Sequence, residues 1–151
     1  MKTVLSLSLI CILTSIVSSC EDSGREIGTG PIPSGIYRYT SYDIAGRPIV
    51  KGWLALSFQD SASITGEWHL DRIGDPQGIG PQAPTMSGQV GSGRLIGGMN
   101  EGEVWVELNP QVRDDNLQLI GKIDNDIYRG QWLWISFSGI SNHGTFEAVR
   151  N

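Results

Sequence analysis

From residue 34 onward, apolar side chains recur at every second position and helical periodicity is nearly absent, the mark of strands with one buried face. Leu54, Leu56 and Phe58 share a face, as do Val104, Val106 and Leu108, and then Leu117, Leu119, Gly121 and Ile123. These faces are expected to line a core. Between them stand turn-forming clusters: Ala45-Gly46-Arg47-Pro48, Gln59-Asp60-Ser61, Asn100-Glu101-Gly102, Asn109-Pro110, Asp124-Asn125-Asp126 and Ser138-Gly139-Ile140-Ser141-Asn142. The pattern predicts an all-β domain of eight or nine short antiparallel strands over residues 34–151.

One segment departs from this alternation. Behind Lys2, the 14 residues from Val4 to Val17 form an apolar run that closes on Val17-Ser18-Ser19-Cys20. A charged start, a short apolar core and small residues at its end are the parts of an export signal, and the core is too short to cross a bilayer of about 30 Å as a helix. Valine, two serines and cysteine resemble the lipobox of bacterial lipoproteins. That resemblance implies removal of residues 1–19 and attachment of lipid to Cys20; the plainer alternative is a small residue just past an ordinary signal cut. Cys11 leaves with the signal, so no intramolecular disulfide is available, and burial and backbone pairing must hold the domain together. Residues 20–33 comprise the lipidated cysteine and a polar, Gly- and Pro-rich tether with a reach of roughly 20 Å. Glu21 rather than aspartate after the cysteine favours the outer over the inner membrane.

The chain that remains, 132 residues from Cys20, suits a single domain. It carries 10 basic against 16 acidic side chains with no charged block. Without a basic stripe to displace counterions, nucleic-acid binding is disfavoured, and attachment to an anionic membrane falls to the anchor.

A weak repeat sharpens the architecture. Glycine is followed two residues later by a large side chain at Gly35/Tyr37, Gly66/Trp68, Gly88/Val90, Gly121/Ile123, Gly130/Trp132 and Gly144/Phe146. Residues two apart in a strand share a face, and glycine at repeated positions lets a sheet bend until it closes. Six such pairs predict a small closed up-and-down barrel of about eight strands, without exposed edges. The run Pro31-x-Pro33-x-Gly35-x-Tyr37 resembles the first strand of the lipocalin and avidin superfamily, with tyrosine where that superfamily carries tryptophan. Gly144-Thr145-Phe146-Glu147-Ala148-Val149-Arg150 is similar to the closing strand of small bacterial lipoproteins of this shape. The asparagine and Gly-Ser of the avidin first strand are missing, so biotin binding is not implied.

An eight-stranded barrel is filled by its own side chains or holds one small molecule. Trp68 shares a face with Ile64, Gly66 and Leu70, while Trp132 and Trp134 share one with Tyr128 and Gly130. With Tyr37 they are the candidate ligand-binding residues; as core residues they would instead plug the interior. Trp53 and Trp105 lie opposite their apolar neighbours and are candidates for contact with a partner. The longest irregular segment, Asp71 to Thr85, is expected to border the mouth.

Chemistry-bearing constellations are sparse. His69 lies with Thr65, Glu67 and Asp71 on a polar strand face, and His143 is placed in a turn beside Asn142. No usual zinc ligand set is present, and no serine or threonine stands in a nucleophile elbow. Asp114-Asp115 and Asp124-x-Asp126 pair carboxylates beside turns, where turn chemistry explains them. The sequence therefore predicts no catalytic residues, no metal and no cofactor. The expected role is a lipid-anchored, non-enzymatic binding module with a small apolar ligand in a barrel mouth. Alternatives are a protein-interaction or inhibitor module using the outer face, and a carbohydrate-acting hydrolase resting only on those carboxylates.

Overall fold

The computed structural model describes residues 34–59, 62–77 and 89–151. The export signal, Cys20 and the tether lie outside these residues, as does most of the segment expected to border the mouth. Eight antiparallel strands follow one another: β1 (Gly35–Tyr42), β2 (Pro48–Phe58), β3 (Ser63–Arg72), β4 (Gly91–Asn100), β5 (Glu103–Glu107), β6 (Asp115–Asp124), β7 (Ile127–Ser136) and β8 (Gly139–Arg150). Each pairs with the next, and β8 returns to β1, closing the barrel with up-and-down connectivity. This architecture fits a lipocalin-like fold. The alternation read from sequence sets the walls: Leu54, Leu56, Val104, Val106, Leu108, Leu117 and Leu119 are all buried.

The glycines act across strands as well as along them. Gly66 of β3 lies so close to β2 that a Cβ there would stand 1.8 Å from the Ala55 carbonyl oxygen. Large side chains lie over glycines on the neighbouring strand, so Trp132 opposes Gly144, Trp68 opposes Gly93 and Trp105 opposes Gly98. This is the aromatic covering of wall glycines that curved sheets use. The Gly88/Val90 pair is not part of it, because Val90 is exposed and the neighbouring Gln89 is buried.

The barrel's two ends are built differently. At one end β4–β5 and β6–β7 close with two-residue turns, Glu101-Gly102 and Asn125-Asp126, whose four residues all have positive φ. Such turns match the twist of the flanking strands. The opposite end carries the β1–β2 turn, the β3–β4 and β5–β6 connections and the β7–β8 turn. There two expectations need correction. The last turn is Phe137-Ser138 rather than 138–142: Gly139, at φ 101, lets the chain reverse at once, so β8 begins there and His143 lies within a strand. Asp71 and Arg72 belong to β3 because they pair with Lys51 and Val50, and irregular chain starts at Ile73.

Candidate functional site at the barrel mouth

The buried polar side chains gather at the end with the longer connections. Ser41 and Asp43 close β1, Gln89 precedes β4, Asn116 opens β6 and Asn142 lies near the start of β8. This end is the candidate mouth.

Asp43 organises its rim. Its carboxylate accepts hydrogen bonds from the backbone N–H groups of Ala45, Arg47 and Gln77 and from the Arg47 guanidinium, all at 2.8–2.9 Å. One side chain thereby ties the β1–β2 turn to the β3–β4 connection. Burial pushes the Asp43 carboxyl up, but the bonds from Gln77, Arg47 and Ala45 outweigh it and hold the group down at about 2.

The three indoles lie in the buried core, Trp132 fully so. Trp68 donates to the Leu108 carbonyl at 2.6 Å, Trp132 to the Tyr42 carbonyl at 2.8 Å and Trp134 to an Asp115 carboxylate oxygen at 2.8 Å. All three acceptors sit at the mouth end of their strands. With their N–H groups engaged by the protein, these rings have faces and edges, but no donor, to offer a ligand. Tyr37, the fourth side chain expected to touch ligand, lies toward the opposite end. It pairs with Arg150 across β1 and β8; burial raises its pKa, Arg150 lowers it and Asp126 raises it. Deep in the same half, the Tyr128 hydroxyl lies 3.2 Å from both the Val104 and the Leu119 carbonyl oxygens.

Three residues that the sequence reading passed over are unsatisfied. Among the described residues, both polar atoms of the Gln89 amide are buried with no hydrogen-bond partner, and the Tyr39 and Ser41 hydroxyls are buried with none beyond a contact with each other. Burial strongly raises the Tyr39 pKa, with a smaller opposing pull from neighbouring Ser41. Tyr39 and Ser41 follow Tyr37 on the inward face of β1, and Gln89 continues the inward parity of Gly91, Gly93 and Leu95. Leaving such groups unpaired costs about 1–3 kcal/mol each, and native proteins rarely do so without a bound water, ion or ligand to account for it. Strand parity alone identifies Ser41; nothing in the sequence marks Gln89, which precedes its strand.

The remaining candidates are scattered. Trp53 is 36% exposed on the outer wall and stacks on His69 with ring centroids 6.2 Å apart. A cleft of about 510 Å³ beside it is lined by Arg38, Lys51, His69 and Asp71 among others. Trp105 is half-buried over Gly98. The partner positions on β3 are His69 for Trp53 and, through Gly98, Ser63 for Trp105, which separates the two rings by roughly 20 Å along the wall. They do not form one patch. Asp126 pairs with Arg150 at 2.8 Å and Asp124 lies 3.9 Å from Arg129, both at the surface beside the β6–β7 turn. His69 Nε2 is 3.5 Å from Asp71 on the outer wall. Among the described residues no group of three or more His, Cys, Asp or Glu side chains is placed to hold a metal ion.

Comparison with known protein families, with curated protein sequences and with solved structures finds no match for this chain.

Proposed function

We propose that the protein is a lipid-anchored, non-enzymatic binding module of the bacterial cell envelope, most at home on the outer membrane, that takes one small ligand in the barrel mouth. The observation that carries this reading is the set of four buried polar atoms on Tyr39, Ser41 and Gln89 that the rest of the described fold leaves without a hydrogen-bond partner. Those groups set the ligand's chemistry. They supply hydroxyl and amide hydrogen bonds but no charge, since the one buried carboxylate there, Asp43, is already paired with Arg47. The ligand that fits is therefore neutral, with an apolar or aromatic body for the rings and a hydroxyl, carbonyl or amide for the polar set. Small-molecule sites are built from a mostly apolar lining with a few polar groups that fix orientation. Lipidation at Cys20 supplies the membrane attachment, and three acyl chains, as the lipobox resemblance implies, exceed the two signals that stable anchoring requires.

Titration of the intrinsic tryptophan fluorescence against fractionated neutral envelope metabolites tests the binding site. A saturable change is expected, weakened at least tenfold by Ser41→Ala and by Gln89→Leu. A flat response across the fractions, or one indifferent to both substitutions, counts against a ligand in the mouth. The anchor is tested separately by labelling cells with a radioactive fatty acid, which should mark the protein and fail to mark Cys20→Ser.

A further inference from the structure

The cleft on the outer wall beside Trp53 has a chemically mixed lining. Across β1, β2 and β3 the register sets Arg38, Trp53 and His69 side by side, and two residues along each strand it does the same for Thr40, Lys51 and Asp71. Residues two apart in a strand share a face, so these six side chains stand on one outward patch of roughly 10 Å by 7 Å. Between the two rows β2 draws close to β3 at Gly52, where a Cβ would stand 2.0 Å from the His69 carbonyl oxygen; glycine inside a strand marks such a close approach. The cleft over this patch has a volume of about 510 Å³.

Its polar groups are uncommitted. Among the described residues the Arg38 guanidinium, the Lys51 ammonium and the Trp53 indole N–H have no hydrogen-bond or ion-pair partner. The Asp71 carboxylate meets His69 Nε2 at 3.5 Å and is otherwise open to solvent. Trp53 itself is steadied by His69, with ring centroids 6.2 Å apart and planes 28° from parallel, within the spacing that aromatic pairs favour. The indole nevertheless stays 36% exposed.

This combination selects among ligands. A wholly apolar body would strip water from the Arg38 and Lys51 charges and give nothing in return. A small anion finds no excess of positive charge, because Asp71 lies in the patch and two further exposed carboxylates border it: Glu147 pairs with Thr40 from β8, and Glu67 stands two residues before His69. A neutral sugar ring matches every part, with C–H groups on its face for the indole and hydroxyls at its edge that both donate and accept. We propose that this cleft binds a neutral saccharide, one sugar ring lying on Trp53 with hydroxyls that accept from Arg38 and Lys51 and donate to Asp71. Its volume is within the range of small-molecule sites. Arg38 and Thr40 face outward on β1, whereas Tyr39 and Ser41 face inward, so this site and the mouth are separate and either can fail without the other.

The test follows the indole N–H resonances of the full chain by two-dimensional proton–nitrogen NMR, in micelles of a detergent without a sugar headgroup, during titration with the methyl glycosides of glucose, galactose, mannose and N-acetylglucosamine. The Trp53 resonance is identified by its loss in Trp53→Phe. At least one glycoside is expected to shift it saturably at millimolar concentration, while the resonances of Trp68, Trp132 and Trp134, whose N–H groups bond within the barrel, stay in place. Saturation-transfer NMR of the same glycoside should show binding weakened at least tenfold by Trp53→Ser and by Arg38→Ala with Lys51→Ala. Trp53→Phe, which keeps a stacking face, should retain most of the affinity, and Ser41→Ala should leave it unchanged. Cooperative thermal unfolding of each variant confirms that its fold is intact. Failure of all four glycosides to shift the Trp53 resonance overturns the inference, as does binding that survives Trp53→Ser undiminished. A shift reproduced equally by inorganic phosphate or by phenol also overturns it, because the occupant is then an anion or an apolar ring.

Discussion

Tyr128 and Tyr39 are both buried, inward-facing tyrosines packed on Phe146, with ring centroids 4.7 and 5.8 Å away. Burial raises the pKa of both. Yet the Tyr128 hydroxyl has two carbonyl oxygens within reach, and the Tyr39 hydroxyl has none. The difference follows the axis of the barrel. Around Tyr128 the end is closed by two-residue turns and the hydroxyl is satisfied by the wall itself; toward the other end Asp43, Asn116 and Asn142 are bonded, while Gln89 is not. Under the proposed function, binding falls to the second end, the division expected when a rigid scaffold carries a site on its longer connections.

Damage to the wall that both halves share should have the largest effect. Gly66→Val places a branched side chain where even a Cβ meets the Ala55 carbonyl at 1.8 Å; a loss of more than about 4 kcal/mol is expected, seen as failure to recover folded protein. The two tyrosines then divide. Tyr128→Phe should cost about 1–3 kcal/mol in denaturant unfolding because it leaves buried carbonyls short of a donor. Tyr39→Phe should leave the stability of the ligand-free barrel unchanged or higher, while lowering ligand affinity about tenfold. If both substitutions destabilise alike, the distinction between the two ends fails.

Asp43 gives a pH signature confined to the mouth. Its folded pKa, about 2, lies below the unfolded value of about 3.9, so its stabilisation is fully present above pH 4 and is lost as pH falls through 2. The amount is about 2–3 kcal/mol. Asp43→Asn should forfeit it at neutral pH and flatten that part of the acid unfolding profile. Smallest of all, Trp53→Ser removes an outer-wall stack with His69 and should cost less than about 1 kcal/mol, with no change in binding at the mouth.

The fold was legible because period two assigns faces without knowledge of the partner strands, and the glycine repeat signals curvature. What the repeat conceals is which ring covers which glycine: Trp132 over Gly144 and Trp105 over Gly98 are cross-strand relations that depend on register. For the candidate site, strand parity places Tyr37, Trp68, Trp132 and Trp134 inside the barrel, where all four are buried, and Tyr39 and Ser41 follow Tyr37 along the same face toward the end with the longer connections. The register around a barrel, not the composition of β1, decides which end a residue reaches. Gln89 shares the inward parity of Gly91, Gly93 and Leu95 but precedes the strand, so the strand pattern alone does not reach it. The closure that the glycines predict is real at all eight seams, with staggered strand ends left over at β4, β6 and β8.

The most direct measurement of the mouth as a ligand site is mass spectrometry of the full chain purified gently from envelopes, comparing native with denaturing conditions. The buried polar groups of Tyr39, Ser41 and Gln89 predict a reproducible additional mass, that of a neutral small molecule, released on unfolding and absent from a Ser41→Ala, Gln89→Leu variant that remains folded. Identical masses under both conditions, or an added mass that survives those substitutions, would contradict a ligand held in the mouth.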